Sequence, residues 1–125
     1  MRFSNDRPIF AQIADMLGGR ILEGEPGAGE RLPSARELAE SLEVNPNTAA
    51  RALQELAETG LARCERGMGY FVAESGAELA LHSRRKRFFE AELPALFERM
   101  AELGVGMDEV ARRHAERGIS KGAAR

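Results

Sequence analysis

The stretch PSARELAESLEVNPNTAARALQELAET, residues 33–59, decides the fold. Ser34 is followed three residues later by Glu37, the pattern of a capping box at a helix start. The helix it opens places Leu38 and Leu42 on one face. Glu43 and Val44 form a tight connection. Asn45 then caps a third helix whose first position is Pro46, where a missing N–H does no harm. That helix buries Ala49, Ala52, Leu53 and Leu56, and Gly60 ends it. Two short helices joined by about three residues have the spacing of a helix-turn-helix.

Upstream, PIFAQIADMLGGRILEG (8–24) repeats Ile9, Ile13, Leu17, Ile21 and Leu22 at helical spacing. Gly18 and Gly19 weaken the middle of this helix, and GEPGAGE (24–30) is a loop by composition. Downstream, LARCE (61–65) and YFVAE (70–74) are strand-like, separated by Arg66-Gly67-Met68-Gly69. Glycines between two such runs imply a hairpin. Tyr70, Phe71 and Val72 are expected to form its core, with Cys64 buried in the first strand. Three helices followed by a hairpin give the order of a winged helix.

From Gly76 the composition changes to ELALHSRRKRFFEAELPALFERMAELG (78–104). Leu79, Phe89, Leu93, Leu96, Phe97, Met100 and Leu103 recur at threes and fours, so one long helix is expected to about Leu103. Pro94 should kink it, because an interior proline removes one hydrogen bond and clashes with the preceding turn. Gly104–Gly106 turns the chain, and MDEVARRHAERG (107–118) is a last helix. The fold class is therefore mainly α with a small β wing. A winged helix-turn-helix spans 1–75, a helical dimerisation hairpin 76–118, and a disordered tail 119–125. The stripe Phe89, Leu93, Leu96, Phe97, Met100 and Leu103 is too apolar for residues 107–117 to cover, so it is expected to pack against a second copy, giving a homodimer.

The chain has 125 residues, 43% apolar and 30% charged, a globular profile. No apolar run reaches the roughly 18 residues of a membrane span. The N-terminus lacks a signal-peptide pattern and the one cysteine cannot form an internal disulfide, which favours the cytoplasm and gives no membrane role. Net charge is −2, and residues 1–75 hold 8 Arg against 12 Asp and Glu. A nucleic-acid reader needs a basic face, so here it must be local. His82 and His114 are isolated, GEPGAGE lacks the Lys and Ser/Thr of a phosphate loop, and no metal spacing occurs. Neither catalysis nor a cofactor is expected.

The segment GERLPSARELAESLEVNPNTAARALQELAETGLARCERGMGYFV (29–72) resembles the GntR family of bacterial regulators. The LPS-x-RELA run, the VNPNT turn and the G-x-GYFV wing stand in the family's order and spacing. The VNPNT form and short C-terminal extension resemble the YtrA-type subfamily. The resemblance implies a repressor that binds double-stranded DNA. It implies DNA contacts at Ser34 and Arg36 of the LPS-x-R run, at Asn45, Pro46, Asn47 and Thr48 of the turn, and at Gly67 and Gly69 of the wing. Where many members place an arginine two positions after the Thr, this chain has Ala50, and Arg51 follows as the nearest candidate.

Residue chemistry agrees. A helix N-terminus offers free N–H groups to phosphate. Asn pairs with an adenine edge and Arg with guanine. Asn45 is also a sufficient helix cap, and Arg66 either enters a narrow minor groove or is a solvated hairpin charge. The basic run Arg84–Arg87 wraps a whole turn and forms no single face. The alternative to a DNA reader is a winged-helix protein-interaction module, favoured by the acidic balance of residues 1–75. The sequence leaves any small-molecule effector undefined.

Overall fold

A computed structural model of the chain describes residues 1–120. These fall into two units, Met1–Arg84 and a second that starts at Arg85. The first unit contains α1 (Ile9–Glu23), α2 (Ala35–Leu42), α3 (Pro46–Glu58), β1 (Ala62–Glu65), β2 (Gly69–Val72) and the first turns of α4 (Gly76–Arg87). Ser34 and Glu37 form the reciprocal capping box. Ser34 Oγ accepts from the Glu37 N–H at 3.1 Å, and Glu37 Oε1 accepts from the Ser34 N–H at 2.8 Å. Two orphan donors at the start of α2 are thereby satisfied. Glu43 closes α2 in the left-handed region, φ 57°. The chain then enters α3, where Asn45 Oδ1 accepts from the Asn47 N–H at 2.7 Å and Pro46 opens the helix.

The core is built where these helices meet. Ile13, Leu17 and Ile21 of α1, Leu38 of α2, and Ala49, Ala52, Leu53 and Leu56 of α3 are buried with Leu32 and Val72. Each large aliphatic side chain contributes about 1.5–3 kcal/mol by leaving water. α1 runs unbroken through Gly18 and Gly19, although glycine costs about 0.5–1 kcal/mol in a helix interior. Arg84 accounts for the second of them. A Cβ at Gly19 would lie 3.1 Å from an Arg84 guanidinium nitrogen. That guanidinium donates to the Asp15 carbonyl and pairs with its carboxylate at 3.4 Å. Ala80 joins the same core, and the first compact unit runs to Arg84.

β1 and β2 pair antiparallel from Ala62↔Val72 to Glu65↔Gly69. The other edge of β2 is occupied as well. Arg31 bridges Phe71, the Leu32 N–H donates to the Tyr70 carbonyl at 2.8 Å, and the Val72 N–H donates to Glu30 at 2.8 Å. The loop composition before Pro33 hides this edge, which Leu32 fixes by entering the core. Tyr70 packs against the core and Val72 lies in it. Burial raises the Tyr70 phenol above its ordinary pKa, and the Cys64 thiol across the pair adds to the shift. Cys64 itself is exposed, contrary to its expected burial. It shares the Ala62 face of β1 and stands opposite Tyr70, yet of the two β1 residues on that face only Ala62 is buried.

The second unit holds the end of α4, a π-helical turn (Phe88–Glu92), α5 (Leu93–Leu103) and α6 (Met107–Ser120). Pro94 sits in the first turn of α5, and the π turn directly precedes it. There the Leu93 N–H donates to Phe88, five residues back. One residue too many per turn relaxes the backbone ahead of a proline that has no N–H to donate. Gly104, φ 69°, ends α5. α6 runs two residues beyond the expected end at 118, and residues 121–125 of the expected tail lie outside the described residues. The basic run is satisfied locally: Lys86 pairs with Glu90 at 3.2 Å, Arg87 with Glu92 at 3.5 Å, and Arg85 lies over Phe89. No described helix is long and apolar enough to cross a membrane.

Candidate nucleic-acid interface

The start of α3 is an exposed helix N-terminus. Asn45, Pro46 and Asn47 face solvent and Thr48 is half-buried. The Asn45 side chain is engaged in the cap, so its amide N–H groups remain outward while its oxygen serves the helix. Pro46 and Asn47 line an open cleft with Arg36 and Glu40 of α2 and Ala50 of α3. Arg36 is exposed and makes no hydrogen bond or ion pair among the described residues. Its guanidinium therefore keeps all five donors for a ligand. Ser34 is half-buried and its oxygen caps α2, which leaves its own O–H to donate.

Ala50 and Arg51 point in directions about 100° apart on the helix. Ala50 lines the cleft. Arg51 instead places its guanidinium over the Phe10 ring of α1, 4.1 Å from the centroid. The structure thus groups Arg36, Pro46 and Asn47, and sets Arg51 apart from them.

The wing turn carries Arg66 and Met68, both exposed, with Gly67 at φ 76° between them and Gly69 at φ 115° after Met68. Both glycines adopt backbone that side-chain-bearing residues avoid, which makes the turn tight enough for the Met68 N–H to reach the Glu65 carbonyl at 2.8 Å. Arg66 has no hydrogen bond or ion pair among the described residues.

Sequence reasoning passed over Arg31. It lies between helix and wing: Nε donates to the Met68 carbonyl at 3.1 Å, and Nη1 stands 4.0 Å from Glu37 Oε1. The signal was its place in the pattern, two residues before Pro33 and next to a buried Leu32. The Ser34 N–H lowers the Glu37 carboxyl pKa below its ordinary value, and Arg31 adds a smaller attraction. Three arginines, Arg31, Arg36 and Arg66, thus supply local positive charge in a region whose total is acidic. Among the described residues no three His, Cys, Asp or Glu side chains gather as a metal site would require.

The family model for bacterial regulatory proteins of the gntR type matches residues 10–72. The chain belongs to the GntR family. Among its relatives is the HTH-type transcriptional regulator YhcF of Bacillus subtilis, 37% identical over 109 residues, which are 87% of this chain and 88% of YhcF. The HTH-type transcriptional repressor YtrA of the same organism is 38% identical over 68 residues, 54% of this chain and 52% of YtrA. A GntR family transcriptional regulator from Listeria monocytogenes has a solved structure that aligns with TM-score 0.74 at 32% identity, covering 91% of this chain and 98% of that one. The chain is thus a GntR-family transcriptional regulator with a DNA-binding winged helix, and YtrA-type regulators are among its relatives.

Proposed function

We propose that this regulator is a cytoplasmic repressor that binds a near-palindromic operator as a homodimer. The observation that carries the reading is the cleft where unpaired Arg36 of α2 meets Pro46 and Asn47 at the exposed start of α3. In this reading α3 enters the major groove. Arg36 and Asn47 contact base edges or phosphate, Asn45, Thr48 and Ser34 hold the backbone, and Arg66 reaches outward from the Gly67–Gly69 turn. Arg51 holds α3 against α1 through Phe10.

Dimerisation is supported by the second unit. Phe89, Leu96, Phe97 and Leu103 are exposed, Leu103 at 62%. Leu93 is half-buried and Met100 is buried within the chain. Phe88 joins Phe89 edge-to-face, centroids 5.0 Å apart. An apolar set this large along the π turn and α5 supports an interaction surface there. Two-fold symmetry in the protein then demands two-fold symmetry in the operator, and joining two readers raises the effective concentration of the second.

A protein-docking module is the second reading, favoured by the excess of acid over base in residues 1–75 and by Glu40 in the cleft. The test is to enrich duplexes from a random-sequence library with the wild-type protein and compare Arg36→Ala on the winner. Loss of one base contact weakens binding by about 1–3 kcal/mol, with an unchanged melting temperature. Failure to enrich any duplex supports the docking module.

A further inference from the structure

We infer that Arg31 is the residue that fixes the wing in register with the helix-turn-helix, so that wing and α3 engage DNA as one rigid reader. The inference rests on the DNA-binding reading above and concerns how its two contact elements are held together.

A two-stranded hairpin is marginally stable alone, and its tip here stands beyond the core, with Arg66, Gly67 and Met68 exposed. Without a brace, the tip would swing relative to α3. Backbone pairing of Glu30–Leu32 with β2 anchors the base of the wing. Only Arg31 extends a side chain from that edge to the turn, where Nε donates to the Met68 carbonyl. The same guanidinium faces Glu37, whose other task is to cap α2 at Ser34. One planar group thereby connects the wing turn to the first turn of the helix-turn-helix. Gly69 makes the seat: a Cβ there would stand 3.1 Å from Arg31 Nε. The wing glycine thus serves the close approach of an arginine as well as the turn.

Lysine cannot replace this geometry. An ammonium is a single point donor, whereas the guanidinium fork donates to the carbonyl through Nε while its Nη1 faces the carboxylate 4.0 Å away. Arg31 acts through the wing, so it is a positioning residue. Its side chain is 48% exposed and the neighbouring strand pairing is made by backbone, so truncation leaves the fold intact.

The experiment is hydroxyl-radical footprinting on the duplex enriched by the wild-type protein, with Arg31→Ala and Arg31→Lys beside it and thermal melts of all three. Wild type protects two backbone segments per half-site, one beneath α3 and one beneath the wing. Both variants are expected to lose the wing segment, keep the α3 segment, melt within a few degrees of wild type, and bind on the order of tenfold more weakly. Full wing protection in Arg31→Ala, or equal loss of both segments, overturns the inference. So does an Arg31→Lys variant that behaves as wild type, because charge alone then suffices. Absence of any footprint with wild type counts against the DNA-binding reading instead, and so is distinguishable.

Discussion

The Arg51 guanidinium lies over the Phe10 ring, 4.1 Å from its centroid, and so ties the recognition helix α3 to α1. The position before it, Ala50, faces the cleft with Arg36 and Asn47. The arginine nearest to the family's DNA-facing position is therefore turned toward packing. Arg51→Ala should destabilise the fold by about 0.5–1 kcal/mol, the worth of an exposed cation–π contact. It should weaken operator binding less than Arg36→Ala does. Thermal melts paired with binding isotherms check both halves, and a larger binding loss from Arg51→Ala than from Arg36→Ala would return Arg51 to the DNA face.

The capping box predicts a specific acid response. The Ser34 N–H lowers the Glu37 pKa below 4.5, so its folded value lies under its unfolded one. That stabilisation is complete above the unfolded value and is lost as pH falls through the folded one. Glu37→Gln keeps an accepting oxygen without a charge. Wild type should exceed Glu37→Gln in stability at neutral pH, with the gap closing below pH 4.5. A gap that stays constant from neutral pH into acid in denaturant titrations refutes the assignment. Ser34→Ala should cost about 1 kcal/mol at neutral pH through loss of the cap itself.

The glycine pair in α1 predicts a coupling. Gly19→Ala in an ordinary helix interior gains about 0.5–1 kcal/mol. Here the new Cβ meets Arg84, so the gain should vanish or reverse. In an Arg84→Ala background the full gain should appear. A double-mutant cycle on melting measures it, and additivity would show that Arg84 does not need the glycine.

Much of the reader was legible in local chemistry. Ser34 with Glu37, Asn45 with Pro46, and Gly60 each act over a few residues, so α2 and α3 start and stop where their side chains require. The wing was legible because Gly67 and Gly69 break a strand pattern. What stayed hidden depends on partners distant in sequence. Arg31 meets Met68, Gly19 meets Arg84 and Phe10 meets Arg51, and neither periodicity nor capping encodes such pairs. Cys64 is exposed for a related reason: strand alternation says which face a residue takes, and says nothing of how far distant neighbours cover it. Pro94 signalled a disruption, but a π turn upstream absorbs it, which a proline alone does not specify.

The second unit gives a direct test of assembly. Sedimentation at micromolar concentration should show a dimer rather than the 13.7 kDa monomer. Phe89→Glu or Leu96→Glu places an uncompensated charge in an apolar interface and should give a folded monomer that binds DNA weakly. Variants that remain dimeric would place the interface outside the exposed stripe.

The central claim, that a chain of net charge −2 grips DNA through a few local arginines and a helix N-terminus, meets its most direct test in salt dependence. Affinity for the enriched duplex is measured by fluorescence anisotropy from about 50 to 200 mM salt, the range over which phosphate contacts show most clearly. Each neutralised phosphate adds roughly −0.9 to the slope of log affinity against log salt, so a dimer with several contacts per subunit should give a slope of about −4 or steeper. A slope near zero would contradict the account.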